Sequence, residues 1–156
     1  MIKLFAMDVD GTLTDGKINI SENGELFKSF NVKDGLGIKL LLEHNIVPAI
    51  ITGRKSKIVL NRAKELGVAH VYQNIGNKKE FIIDLCNKLN ISLDEVAYIG
   101  DDLNDLEVLE CVKRSYAPCD SAIQIINTVK FVCSKKGGEG SVREAIDDVL
   151  LINKEA

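Results

Sequence analysis

Long apolar stretches are absent from this chain of 156 residues; the longest, Val47 to Ile51 and Val149 to Ile152, stop far short of the roughly 20 residues that span a bilayer. No transmembrane segment is expected. A surplus of positive charge is also missing. The 20 Lys and Arg stand against 23 Asp and Glu, for a net charge of −3, and they are scattered rather than gathered into the basic stripe that nucleic-acid backbones require. Cysteine is sparse and unpaired. Cys86, Cys111, Cys119 and Cys133 form no C-x-x-C pair, and the 2 histidines, His44 and His70, lie away from them. That spacing argues against zinc and disulfides and leaves the four as buried small hydrophobes in a reducing cytosol. Met1 to Asp10 has one Lys and a short apolar run but no small-residue cleavage site, so no secretory signal is read and a cytoplasmic location is expected. With 2 prolines, no internal repeat and no low-complexity tract, no seam divides the chain, and a single domain over residues 1–156 is expected.

The 46% apolar and 28% charged content belongs to a globular α/β protein. Short apolar runs alternate with longer segments of helical period, the pattern of a parallel sheet covered by helices. The expected strands are Ile2 to Val9, Val47 to Thr52, Ala69 to Gln73, Val96 to Gly100, Ser115 to Ala117 and Lys130 to Cys133. The expected helices are Gly35 to His44, Ser56 to Gly67, Lys78 to Asn90, Asp105 to Val112, Ser121 to Asn127 and Ser141 to about Leu151, with Gly67 as a C-cap. Residues 17–30 break the alternation. Lys17 to Ile20 and Glu25 to Phe30 flank Ser-Glu-Asn-Gly, read as a four-residue turn in a projecting β-hairpin.

The chemistry gathers at strand ends. Asp8-Val9-Asp10-Gly11-Thr12 places two carboxylates after the first apolar run, at the edge where ligands bind parallel sheets; a plain Asp-Gly turn would look the same. Thr52-Gly53-Arg54 ends another run and offers a hydroxyl and helix amides to a phosphate, though an N-cap would serve equally. Lys78 opens a helix and can neutralise a phosphate oxygen, against the ordinary expectation of a surface lysine. Gly100-Asp101-Asp102-Leu103-Asn104-Asp105 adds an acidic cluster at a further strand end, or simply a helix start favoured by its dipole. Other machines fail on particulars. No Walker loop is present, Asp34-Gly35-Leu36-Gly37 lacks the third dinucleotide glycine, and no Ser, His and acid set suggests a triad. An EF-hand starting at Asp8 would need glycine where Leu13 stands.

In order, Asp8-x-Asp10-Gly11-Thr12, Thr52-Gly53, Lys78 and Gly100-Asp101-Asp102-x-x-Asp105 resemble the four motifs of the haloacid dehalogenase superfamily. Thr14-Asp15-Gly16, Phe30 to Ile38, Thr52-Gly53-Arg54, Arg62-Ala63-x-x-Leu66-Gly67 and Gly137-Gly138-Glu139-Gly140-x-Val142-Arg143-Glu144 extend the likeness to its 3-deoxy-D-manno-octulosonate 8-phosphate phosphatases over nearly the whole chain. The resemblance implies a Rossmann-like sheet with a hairpin flap and no large cap domain. It also implies a homotetramer in which a neighbouring subunit closes each site, a sugar-phosphate substrate, and a role in lipopolysaccharide biosynthesis. It assigns catalysis to Asp8 as nucleophile, Asp10 as acid and base, and Thr52 and Lys78 as phosphate holders. Mg²⁺ would take the Asp8 and Asp101 carboxylates and the Asp10 backbone carbonyl, with Asp102 and Asp105 orienting groups behind it. Asn31, Val32, Lys33, Asp34, Gly35, Lys39, Arg54 and Arg62, with Asp10 and Lys78, would bind the substrate. The tail from about 137 to 156 would carry a glycine-rich lid at Gly137 to Gly140. A cation is also demanded by charge, since two unit charges 4 Å apart repel by about 4 kcal/mol at an effective dielectric of 20. Two alternatives stay open. Glu139 stands where an octulosonate enzyme often carries a basic residue, which favours a nine-carbon nonulosonate 9-phosphate. A non-catalytic oligomerisation module is the other.

Overall fold

The computed structural model describes residues 1–156. Its centre is β1 (Leu4–Met7), every residue of which is buried. Successive side chains of a strand point to opposite faces, and β1 divides accordingly. Phe5 and Met7 join one core cluster, Leu4 and Ala6 the other. A strand apolar at every position is what a sheet covered on both faces requires.

The other strands are β2 (Asn19–Ser21), β3 (Gly24–Phe27), β4 (Val47–Ile51), β5 (His70–Tyr72), β6 (Val96–Ile99), β7 (Arg114–Ala117) and β8 (Phe131–Val132). The helices are α1 (Val32–Glu43), α2 (Lys57–Leu66), α3 (Lys78–Leu89), α4 (Leu106–Cys111), α5 (Ile123–Ile126) and α6 (Ser141–Glu155). Six strands form one parallel sheet in the order β5-β4-β1-β6-β7-β8. Leu4 pairs with Val47 on one side and Val96 on the other. Helices α1, α2 and α6 cover one face through Ile38, Leu41, Val59, Ala63, Val142 and Ile146. The opposite face is covered by α3, α4 and α5 through Ile82, Leu85, Val108 and Ile125. Each of these buried Ile, Leu and Val side chains contributes about 1.5–3 kcal/mol. No helix is long and apolar enough to cross a membrane.

The helix ends follow local chemistry. Asn31, Ser56 and Asn77 cap α1, α2 and α3 with side-chain oxygens, and Gly67 at φ 78° ends α2. The expected element order holds, with corrections at the margins. The first strand is shorter than Ile2 to Val9, α1 starts at Val32 rather than Gly35, and α6 runs on to Glu155. The hairpin turn is two residues, Glu22 and Asn23, because Ser21 pairs with Gly24. Cys86 and Cys133 are buried, but Cys111 is half-buried and Cys119 exposed, since Cys119 falls in the loop after β7.

The chain runs outward from β1 through β4 to β5, then crosses back to β6 and continues through β7 to β8. Strand order therefore reverses between β1 and β6, which opens a crevice at their carboxyl ends.

Candidate active site

Asp8 follows β1 directly and is 5% exposed. Its backbone N–H donates to Ile99 O at 3.1 Å, which extends the β1 to β6 pairing into the crevice. Lys78, the first residue of α3, is 2% exposed. Its ammonium lies 3.1 Å from Asp8 Oδ1 and 2.8 Å from Asp105 Oδ1. Asp105 is fully buried. Its Oδ1 also accepts the Tyr98 hydroxyl at 2.8 Å, and its Oδ2 accepts the Asp101 N–H at 3.1 Å. With both oxygens engaged, Asp105 holds Lys78 and the Asp101 loop in place. Asp101 accepts the Thr12 hydroxyl at 2.8 Å through Oδ1. Its Oδ2 faces Gly11, where a Cβ would fall 2.0 Å away; with φ at +87°, that position fits only glycine.

Carboxylate oxygens of Asp8, Asp101 and Asp105 lie within 4.8 Å of one another. Three carboxylates face one ammonium, so two negative charges stay uncompensated at a buried site. The titration of the group reflects this. Burial pushes Asp8 well above the usual carboxylate range, and Asp105 adds to the rise against the opposing pull of Lys78. Asp101 is pushed up to about 7, chiefly by burial, with the Thr12 hydroxyl working the other way. Burial alone would lower Lys78, but Asp8 and Asp105 outweigh it and raise it. An all-oxygen donor set short of positive charge suits a hard divalent cation that keeps some of its waters. Asp8 and Asp101 fit that ion, because each keeps an oxygen that no side chain occupies.

Asp10 stands on the opposite rim, with Oδ1 2.6 Å from Lys28 Nζ and Oδ2 3.9 Å from Arg54 Nε. Thr52, at the end of β4, is buried, and its hydroxyl accepts the Arg54 N–H at 3.4 Å. Asp8, Asp10, Thr52, Arg54, Lys78, Asp101 and Asp105 thus gather at the carboxyl edge of the sheet.

Other expected residues lie elsewhere. Asn31, Asp34, Gly35 and Arg62 line one crevice of about 10 Å³ with Phe30 and Leu13, room for about one water. Arg62 stacks over Phe30 and pairs with Glu65. Asp34 is 1% exposed and accepts the Arg143 N–H at 2.9 Å, at the start of α6. Val32, Lys33 and Lys39 are exposed along α1, and Asp102 is exposed beside its cluster. Gly137 and Gly138 pack against the first loop, where Gly138 N–H donates to Thr12 O at 3.2 Å and a Cβ on Gly137 would meet Gly11 O at 2.0 Å.

Sequence reasoning gave no role to Lys28, Tyr98 or the Thr12 hydroxyl. Thr12 sat inside a quoted motif and could have been found there. Tyr98 fell inside an expected strand and Lys28 inside the expected hairpin, and neither position carried a chemical signal.

A protein-family model described as haloacid dehalogenase-like hydrolase matches residues 65–146. The 3-deoxy-D-manno-octulosonate 8-phosphate phosphatase of Salmonella typhi is 47% identical over 150 residues, covering 96% of this chain and 80% of that protein. The crystal structure of the enzyme of that name from Yersinia pestis superposes with a TM-score of 0.95 at 41% identity, covering 98% of this chain and 83% of that one. Its counterpart from Moraxella catarrhalis, in complex with a magnesium ion, a phosphate ion and a KDO molecule, gives a TM-score of 0.93 at 43% identity, covering 96% and 86%.

Proposed function

Since this chain belongs to the haloacid dehalogenase-like hydrolases and, within them, to the 3-deoxy-D-manno-octulosonate 8-phosphate phosphatases, we propose that it hydrolyses that sugar phosphate, with Mg²⁺, through a phosphorylated Asp8. The observation that carries this reading is Asp8 paired with Lys78 and within 4.8 Å of Asp101 in the β1 to β6 crevice, with Asp10 two residues on. The Moraxella enzyme's bound magnesium, phosphate and KDO support the same substrate and cofactor here.

Asp8 is the nucleophile. It is buried against the one ammonium that reaches both it and Asp105, and its carboxylate attacks phosphorus as the ester bond breaks. Asp10 gives its proton to the leaving sugar alkoxide, then takes one from the water that releases phosphate from Asp8. Thr52 and Lys78 hold phosphate oxygens while charge moves to the leaving group. Asp8, Asp101 and the Asp10 carbonyl would hold Mg²⁺, which when bound neutralises the charge that carboxylates and phosphate share.

Arg54 stands beside Asp10 and is half-exposed, the reach a sugar carboxylate needs; a guanidinium fork can bind both of its oxygens. The crevice of about 10 Å³ lined by Asn31, Asp34, Gly35 and Arg62 does not take an eight-carbon sugar; the substrate contacts of Asn31 to Gly35, Lys39 and Arg62 are assigned through the likeness to the family. Ile20, Leu26, Phe27, Val32 and Leu36 are 65%, 59%, 49%, 79% and 52% exposed along the hairpin and α1. Such an apolar surface supports packing against further copies in a homotetramer.

A rapid-quench experiment with substrate labelled in the phosphoryl group tests the mechanism. Acid-stable label is expected on wild-type protein during turnover and none on Asp8→Asn. Turnover without labelled protein, or label retained by the variant, would refute Asp8 as nucleophile.

A further inference from the structure

We propose that Lys28 is a positioning residue for Asp10, fixing its Oδ1 so that Oδ2 is the oxygen that carries the transferable proton. This inference rests on the phosphatase reading above.

Lys28 lies just past β3, whose four residues are all exposed, yet its own side chain is 4% exposed. Its ammonium is held at two points, 2.6 Å from Asp10 Oδ1 and 3.0 Å from Glu25 Oε1. Glu25 is anchored in turn, because its Oε2 accepts the Ser56 hydroxyl at 2.6 Å. Ser56 is itself fixed as the N-cap of α2, with its Oγ accepting the Val59 N–H at 3.2 Å and its carbonyl accepting from Gln73. Asp10 is therefore tied by two ionic contacts and one hydroxyl to the N-cap of α2, two residues past Arg54. A lysine serving only the hairpin could pair with Glu25, three residues away, and leave Asp10 alone.

The chemistry explains why Asp10 needs the tie. A short loop carboxylate can rotate and present either oxygen. As Asp8 attacks phosphorus and the phosphorus–ester oxygen bond breaks, a proton leaves Asp10 for the alkoxide. In the second displacement, water oxygen attacks phosphorus, the Asp8–phosphorus bond breaks, and a water proton returns to Asp10. Both transfers need one oxygen of Asp10 at one place. An ammonium has no proton acceptor, so the oxygen it occupies is the one that stays out of the transfer. That leaves Oδ2, which accepts no hydrogen bond, since Arg54 Nε stands 3.9 Å away, beyond hydrogen-bond distance.

The test separates acid catalysis from structural support. Lys28→Met, Lys28→Arg and wild type are assayed for kcat/KM on an alkyl phosphate, which needs a protonated leaving group, and on 2,4-dinitrophenyl phosphate, which does not. Lys28→Met is expected to lose about 10²-fold on the alkyl ester, the scale of one acid or base contribution, under 10-fold on the aryl ester, with KM little changed and Lys28→Arg partly restored. Equal losses on the two esters, or a loss confined to KM, would overturn the proposal. If Lys28→Met does not fold, Glu25→Gln is read by the same ratio and is expected to show a smaller loss of the same selectivity; an unchanged ratio there would overturn it too. Any alkyl phosphate that the wild type cleaves serves, so a wrong sugar assignment shows separately, as wild-type inactivity on the octulosonate ester.

Discussion

Lys78 places a charge among side chains that exclude water, and such a charge persists only when carboxylates pair with it. Asp8 and Asp105 do so at 3.1 and 2.8 Å. Lys78→Met would leave both carboxylates unpaired and is expected to lower stability by about 3–5 kcal/mol and to abolish turnover. Urea unfolding and phosphate release check the two halves; an unchanged midpoint would contradict the pairing. Gly11→Ala forces a Cβ against Asp101 Oδ2 at a positive φ. Because Asp101 would hold Mg²⁺, the half-saturating Mg²⁺ concentration of turnover is expected to rise about 10-fold or more, the usual effect of disturbing a ligand's support. No change in that concentration would place the ion elsewhere. At this scale the sequence was legible in part. Residue type and strand-end position marked Asp8, Asp10 and Asp101. Lysines are mostly exposed, so only coordinates show that Lys78 is buried and that Lys28 turns inward.

Among the elements, the junction of α1 with α6 has a pH dependence of its own. Gly140 gives α6 no side-chain cap; Asp34, from the first turn of α1, supplies an acceptor across 109 residues. Burial raises Asp34 from 3.8 to about 6, while the Arg143 N–H and charge and the more distant Arg62 pull it down. The folded chain therefore binds a proton that the unfolded chain has released. The contribution of Asp34 to stability is full below about pH 4 and is lost as pH rises through about 6, a change on the order of 3 kcal/mol at 1.36 kcal/mol per unit. Asp34→Asn keeps the acceptor and removes the charge. Urea midpoints at pH 5 and pH 7.5 are expected to fall less between the two in the variant than in wild type; parallel falls would contradict the account. The α1 to α6 contact was not readable in sequence, because nothing local links positions so far apart. The sheet was readable, because strands buried on both faces are apolar throughout. Strand ends blurred where apolar loop residues such as Ile2 and Val9 continue the run, and Cys119 was misplaced because a thiol gives no sign of which loop will expose it.

Across the whole molecule, the hairpin presents two sides. Its inward side carries Lys28 to Asp10, and its outward side exposes Ile20, Leu26 and Phe27. The homotetramer proposed above predicts that Ile20→Glu sediments as a smaller species than wild type, and loses sugar-phosphate turnover more than aryl phosphate turnover. A variant of unchanged size would remove the hairpin from the interface. The family was legible from motif order, and the proposed assembly rests on that family together with the apolar residues that the fold leaves uncovered. The proposed reaction is Mg²⁺-dependent hydrolysis of an eight-carbon sugar-acid phosphate. Its most direct test compares kcat/KM for 3-deoxy-D-manno-octulosonate 8-phosphate and a nonulosonate 9-phosphate, with Mg²⁺ and after its removal by chelation. A higher value is expected for the eight-carbon ester, and none for either without the ion; a higher value for the nine-carbon ester, or turnover that survives chelation, would overturn the assignment.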